Sequence, residues 1–249
     1  MFGLAAADGA VVELATAGIG LSLAAAAPPL PIVPGAILFD LGNEGDKAWG
    51  DAPPYHALGR QAARVALDSG FGAPFATGRV GAGRGAIAGT GPGGIGSASL
   101  MLEHGLVVGA LVAVNPVGWV DIGQGWPGGD DPFPDSSRLA ALGRLQPGAN
   151  TTLAVVACNA RIDKVEARRV AIMAQDALAR TIRPVHTPFD GDVVFALASG
   201  AVDLVPCCDD RRTRPWWLAR IGAAAANALA RAIVRGVRSG RHSDRASAG

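Results

Sequence analysis

The residues best suited to chemistry cluster near position 150. Gly148-Ala149-Asn150-Thr151-Thr152-Leu153-Ala154-Val155-Val156 sets two hydroxyl side chains between a Gly- and Pro-rich stretch and an apolar, β-branched run. A threonine hydroxyl is a weak nucleophile at neutral pH unless a base stands beside it. On its own the pair also reads as an ordinary strand start, so neighbouring segments must decide. A second candidate is the glycine run GRVGAGRGAIAGTGPGGIG at 78–96. Gly83-x-Gly85-x-x-Ala88, with Glu103 about twenty residues on, fits the loose dinucleotide pattern. That pattern has to open a helix, whereas Thr90-Gly91-Pro92-Gly93-Gly94 follows at once. A phosphate loop of the GxxxxGK[ST] kind is missing too, because no Lys lies near. Two readings remain for the run: a backbone that passes close to other elements, where only Gly fits, or the lining of a substrate pocket.

Metal and disulfide chemistry find no support. The cysteines are Cys158, Cys207 and Cys208, and the histidines His56, His104, His186 and His242 are scattered without ligand spacing. No metal and no cofactor are expected. A reducing cytoplasm is the default compartment for such cysteine usage.

The frame that positions these residues is a 249-residue chain, 49% hydrophobic and 17% charged, with a net charge of +1. Disorder is excluded, and a sizeable core is affordable without staples. A single catalytic domain over 1–249 is the simplest partition. Neither nucleic acid nor membrane is an expected partner. The N-terminus lacks a basic leader and carries Asp8 and Glu13. Leu14 to Leu30 is uncharged, but it is mostly Ala and Gly and ends in Pro28-Pro29, which favours a buried core helix over a membrane span.

Periodicity and punctuation predict the elements. Residues 2–26 read as Ala-rich helical material, with Gly18 and Gly20 as weak points or a break. Ile37-Leu38-Phe39 reads as a short buried strand. A helix over 55–69 ends before Gly70 at C′. Ala98 to Leu102 and Leu106 to Val114, around His104-Gly105, read as a hairpin. Residues 121–149 form a long Gly-, Pro- and Asp-rich loop. Thr152 to Ala157 is a strand, and Asp163 with Glu166 forms a capping box for a helix to about Ile182. Val193 to Leu197 is a strand, Pro215 opens a helix over roughly 216–236 at N1, and the basic tail 237–249 frays. Strands mixed with long helices imply a layered α/β domain.

Seven segments then occur in an order that resembles a known family: FGLAAADG at 2–9, PIVPGAILFDL at 31–41, VGAGRGAIAG at 80–89, GGIGSAS at 93–99, VGALVAVNPVG at 108–118, NTTLAVVACNA at 150–160 and RPVHTPFDGDVVFAL at 183–197. Together they are similar to the DmpA-type aminopeptidases and the nylon-oligomer (6-aminohexanoate-oligomer) hydrolases, over essentially residues 2–236. The resemblance implies a four-layer α-β-β-α sandwich and a hydrolase with an N-terminal nucleophile. It implies self-cleavage between Asn150 and Thr151, into a large chain 1–150 and a small chain 151–249. Thr151 would then carry its own base, an α-amine with a pKa of about 7.7–8.0. Asn115 matches the family Asn that can donate to the oxyanion, although a turn residue before Pro116 explains it equally. Asp190 and Asp192 match an acidic pair near the nucleophile, on an extended segment that points both to one side. Their bland alternative is a solvated Asp-Gly turn. The implied substrate is a small peptide or amino-acid amide oligomer, and the two chains stay associated within a homo-oligomer.

Two departures accompany the match. The family's Lys near the glycine run is replaced by Thr90, Gly91 and Pro92, with Arg84 the only cation within 80–99. Family chains also carry several dozen residues before FGLAAADG, and a short form is expected to leave a sheet edge or core face uncovered. Two rivals follow: an uncleaved homologue that serves as a binding or assembly subunit, and ornithine-acetyltransferase-like acyl transfer, which also splits before a Thr.

Overall fold

The computed structural model describes residues 2–123 apart from 26, 44 and 71, residue 125, residues 150–206 and residues 209–247. The chain divides into two compact units, Met1–Ile37 with Glu44–Phe75 and Leu38–Asn43 with Ala76–Gly249.

The smaller unit is a helix pair, α1 (Phe2–Thr16) and α2 (Tyr55–Ser69). Gly9 and Gly59 let the backbones touch, since a Cβ on either would overlap a carbonyl of the other helix, at His56 and Ala6. Glu13 is buried and accepts from Arg60 Nε at 3.1 Å and Arg64 Nε at 2.8 Å. Helix α2 ends at Ser69 before Gly70 at φ 70°, as the sequence indicates. The first helix takes the break at the glycines. It stops at Thr16, ahead of Gly18 at φ 74°, and residues 16–25 are exposed, so no buried helix runs to Leu30. Among the described residues no helix is long and apolar enough to cross a membrane.

The larger unit is built on one four-stranded sheet. Its strands are β3 (Gly94–Met101), β4 (Val107–Asn115), β6 (Thr151–Ala160) and β8 (Val193–Val202), in spatial order β3-β4-β6-β8. The first two pairings are antiparallel and the third is parallel. Two-residue pairs, β1 (Ile87–Ala88) with β2 (Gly91–Pro92) and β5 (Trp119–Val120) with β7 (Ile182–Arg183), flank it. Two helices, α3 (Lys164–Thr181) and α4 (Asp210–Ser247), form the helical layer. The α/β class is therefore as expected.

Alternation along the strands sorts the sheet into two faces. Ala98, Val108, Ala110, Val112, Val114, Ala154, Val156 and Cys158 are buried in one core with Leu178, Trp217, Ile221, Leu229 and Ile233 of the helices. Burial pushes the Cys158 thiol up, which keeps it protonated and inert. The opposite face keeps apolar side chains in view, among them Leu111 and Leu197.

Local chemistry explains where the elements begin. Asp163 accepts from Glu166 N at 2.9 Å while Glu166 accepts from Asp163 N at 2.8 Å, the capping box read from the sequence. The last helix differs from expectation. It starts at Asp210 because Asp209 Oδ1 accepts from Arg212 N at 3.0 Å and so caps the first turn. Pro215 thus lies inside the helix instead of at N1, and the helix continues through the basic tail to Ser247. Ile37-Leu38-Phe39 forms no strand, because Phe39 turns into the left-handed region at φ 52°. Most of the loop expected at 121–149, together with Cys207 and Cys208, lies outside the described residues.

The glycine run is resolved in favour of close backbone approach. No α-helix follows Gly83, which ends a single 3₁₀ turn. A Cβ on Gly96 would overlap the Ala232 carbonyl oxygen of α4 and stand 2.6 Å from Gly236 N. Backbone cannot yield as a side-chain tip can, so Gly96→Ala is expected to lower stability by about 3 kcal/mol. The same change at Gly109, whose Cβ would meet only the Ala98 oxygen at 4.0 Å, should shift the urea midpoint far less. Equal midpoints for the two variants would remove the close-packing explanation.

Candidate active site

Strand direction brings the chemistry-bearing residues to one end of the sheet. Strand β4 ends at Asn115, β6 begins at Thr151, and the residues just before β8 are Asp190, Gly191 and Asp192. Asn115 and Thr151 are direct cross-strand partners, and Asn150 bridges to Asp190 in parallel fashion. The Asn150–Thr151 bond therefore sits between β4 on one side and the 189–192 segment on the other. Asn115, Asn150, Thr151 and Thr152 are all buried, at 2% exposure or less.

The carbonyl of Asn150 receives two donors. Thr151 Oγ1 donates to it at 2.6 Å, and Gly191 N donates at 2.7 Å. On the same segment, Asn150 N donates to the Phe189 carbonyl at 3.1 Å. Gly191 is needed for contact as well as for its N–H, because a Cβ there would stand 2.9 Å from Thr151 Oγ1. A hydroxyl and a backbone amide thus converge on one buried peptide carbonyl. Of the two donors, the Gly191 amide is the one that can stay on the oxygen if Thr151 Oγ1 attacks the carbon, because the attacking hydroxyl gives up its proton.

Asn115 is neither exposed nor a turn residue. Its Oδ1 accepts from Ile87 N at 2.9 Å, and its Nδ2 donates to the Leu38 carbonyl at 3.1 Å. One of its two amide hydrogens is thereby committed to holding the 38 segment, and the second is the one an oxyanion would use.

The two aspartates have different surroundings. Asp190 Oδ1 accepts from Val117 N at 3.0 Å, and its Oδ2 accepts from Thr187 N at 3.1 Å and Thr187 Oγ1 at 2.5 Å. It pins the loop that follows β4 to the loop that precedes β8. Asp192 Oδ1 accepts from Thr152 N at 2.7 Å, and its Oδ2 lies 2.7 Å from His186 Nδ1. Burial, opposed by the Thr152 hydrogen bond, holds the Asp192 carboxyl above the ordinary aspartate range, and the neighbouring Asp190 adds to the rise. The solvated-turn alternative fails for Asp192, whose side chain is 3% exposed.

Three site residues were not singled out from the sequence. Gly191 lay inside FDGD as an apparent turn glycine, His186 counted among scattered histidines, and Thr187 was unremarked. A signal existed in HTPFDGD, where donors and acceptors alternate so densely that local hydrogen bonds are expected. Arg84, one of two arginines in the glycine run, is exposed at the end of its 3₁₀ turn. Among the described residues no cluster of His, Cys, Asp and Glu could hold a metal ion.

Known proteins share this framework. A family model described as Peptidase family S58 matches residues 2–246. The chain is 42% identical over 247 residues to an uncharacterized aminopeptidase of Mycobacterium leprae, covering 94% of this chain and 67% of that one. It is 30% identical over 191 residues to a 6-aminohexanoate-oligomer endohydrolase of Kocuria sp., covering 70% of this chain and 51% of the relative. The solved beta-aminopeptidase of a Burkholderia sp. aligns with a TM-score of 0.59 at 24% identity, over 94% of this chain and 63% of the other, which establishes a shared fold. The chain thus spans between about half and two thirds of the length of these proteins. With the family model matched from residue 2 to residue 246, the chain belongs to peptidase family S58, a family of amide-bond hydrolases.

Proposed function

We propose that the chain is an N-terminal-nucleophile amidohydrolase that cuts itself between Asn150 and Thr151, giving 1–150 and 151–249 as one catalytic unit. The observation that carries this reading is the 2.6 Å approach of Thr151 Oγ1 to the Asn150 carbonyl, with Gly191 N on the same oxygen. In the first stage Oγ1 adds to the Asn150 carbonyl carbon, and the proton it gives up passes to the Thr151 nitrogen as that nitrogen departs. The C–N bond thus breaks, leaving an Asn150 ester on Oγ1. Water opens the ester, which frees the Asn150 carboxylate and restores the hydroxyl beside a new α-amine.

In the second stage that amine, in its neutral form, accepts the Oγ1 proton as the hydroxyl attacks a substrate amide. Asn115 Nδ2 supplies its second hydrogen to the developing oxyanion. The leaving amine takes the proton, and water hydrolyses the acyl-enzyme. Asp192 acts by charge and position, next to the start of the strand whose first residue becomes the N-terminus. Asp190 holds the two loops at the right separation. The substrate is an amide beside a free amino group, in a small peptide or an ω-amino-acid oligomer. The names of the Mycobacterium leprae and Kocuria relatives favour this class.

Intact mass is the direct test of cleavage. The 25.1 kDa chain should yield pieces of about 15 and 10 kDa, and Thr151→Ala should remain whole, because no hydroxyl is left to attack. A wild-type chain that stays uncut after long incubation with a folded spectrum would favour the binding-subunit alternative.

The pieces should remain together after the cut. Residues 1–150 hold seven basic and twelve acidic side chains, −5, and residues 151–249 hold fifteen and nine, +6, so charge favours association and salt screens it. The apolar contribution is larger, since β4 of the large piece pairs with β6 of the small one, and side chains of β3 and β4 share one core with α4. Co-elution at about 1 M salt is expected, with separation only in denaturant; dissociation by salt alone would show that charge is the main adhesive.

Asp192→Asn should lower kcat by about 10²-fold, by removing a charge and misplacing the strand start. It should also abolish an acid limb that lies above the ordinary aspartate range. Stability should move the other way. Because the folded-state pKa of Asp192 is raised, its stabilising contribution is present below the unfolded value and lost as pH rises through the folded one. Asp192→Asn is therefore expected to melt higher than wild type at pH 8, with the gap closing on acidification. A wild-type acid limb retained in Asp192→Asn, at full turnover, would remove Asp192 from the mechanism.

A further inference from the structure

His186 is not used by the chemistry above, yet its placement is specific. Its backbone lies in the left-handed region at φ 53°, which few residues adopt, with Asn, Asp and His among those that do. From that backbone the ring reaches back to Asp192 Oδ2 at 2.7 Å, across the turn that Asp190 and Thr187 close. Asp192 has two oxygens and two partners: His186 Nδ1 on one and Thr152 N on the other. Thr152 is the second residue of β6, directly after the nucleophile. Its own hydroxyl is buried without a hydrogen-bond partner among the described residues, so it supplies no second tether. The chain His186–Asp192–Thr152 is thus a side-chain link between the turn before β8 and the start of β6.

We propose that His186 is a positioning residue: by donating from Nδ1 to Asp192 Oδ2 it fixes the rotamer that keeps Oδ1 on Thr152 N–H, and so holds the first residues of β6 in place when Thr151 becomes a chain end. The inference rests on Thr151 as the nucleophile. Before cleavage the preceding peptide also anchors Thr151, through Asn150 N to Phe189 O and Gly191 N to Asn150 O. Cleavage severs the covalent tie to that anchor. From then on the Asp192 link carries more of the load, so His186 should matter more to turnover than to processing.

The pH dependence follows from the groups around Asp192. The charged groups acting on it are Asp190 on its own segment and His186, while β6 presents only the Thr152 amide. His186 favours the ionised carboxylate and Asp190 opposes it. Loss of the His186 donor leaves burial and Asp190 unopposed on that side, and the acid limb of kcat should move to higher pH.

The test compares His186→Leu, which removes the donor, with His186→Asn. Asn places an N–H near the Nδ1 position and tolerates the left-handed backbone. Amide exchange at Thr152 is measured in a Thr151→Ala background, where the chain stays whole and no catalysis is needed. His186→Leu should speed Thr152 exchange by about tenfold, and His186→Asn should recover most of that protection. In the Thr151 protein, His186→Leu should lower kcat by about tenfold with KM nearly unchanged and the acid limb moved upward, while processing slows less. Unchanged Thr152 protection in His186→Leu overturns the proposal. So does an Asn variant as damaged as Leu, or exchange quickened evenly along β6 and β8, which a merely structural role would give. If wild type neither cuts itself nor hydrolyses amides while Thr152 protection still depends on His186 as described, the positioning link stands and the nucleophile assignment falls.

Discussion

The hydrogen bond from Gly191 N to the Asn150 carbonyl joins the segment before β8 to the residue before β6, and the site is organised around it. The bond fixes one peptide group between two strands. It also requires glycine, because the donor belongs to a residue whose missing side chain makes room for the Thr151 hydroxyl. Every other polar contact at this sheet end preserves that geometry. Asp190 ties Val117 to Thr187, Asn115 ties Ile87 to Leu38, and Asp192 ties Thr152 to His186. Buried polar groups are tolerable only when nearly all are paired, and here each aspartate and the Asn115 amide has partners on both of its ends.

Beneath the polar end lies a core of small residues. Ala225, Ala228 and Ala232 of α4 are fully buried, and Gly94 and Gly96 of β3 allow the helix backbone to approach the sheet. This explains a composition rich in alanine and glycine in terms of distance: small side chains let helix and strand come close, and dispersion contacts replace bulk. The same closeness stiffens the floor on which β4 and β6 lie, and a rigid floor keeps donors aligned on one carbonyl.

Much of this was legible in the sequence. The capping box at Asp163 and Glu166 and the stop at Gly70 follow from local chemistry that tertiary context did not overrule. Thr151, Asn115 and Asp192 were found through ordered segments, and the structure brings them to one sheet end. What was not legible depended on long-range pairing. Asn115 opposite Thr151 is a matter of strand register between residues far apart in the chain. The separate duties of Asp190 and Asp192 depend on Val117 and Thr152, which no spacing within FDGD reveals. The early start of α4 was missed because Pro215 outweighed Asp209 as a signal, although Pro inside a helix removes a single hydrogen bond and a cap satisfies another. Phe39 was read as strand because apolar runs favour strands, whereas its left-handed φ cannot be seen in residue type.

The parallel pairing of β6 with β8 has a consequence for how such a protein can vary. Parallel neighbours start at the same edge, so the residue that opens one and the loop that feeds the other are held together by direction alone. An antiparallel β8 would carry the aspartates to the far end of a ten-residue strand, about 30 Å away. The intervening helix α3 is the return path as well as part of the core, and lengthening or shortening its outer turns would leave the meeting point where it is. A single residue added within β6 would instead rotate every later side chain onto the opposite face and present core valines to water. Drift in length is therefore tolerated in the crossover and forbidden in the strand, which confines insertions to the helical return and leaves the candidate site a fixed point of the topology.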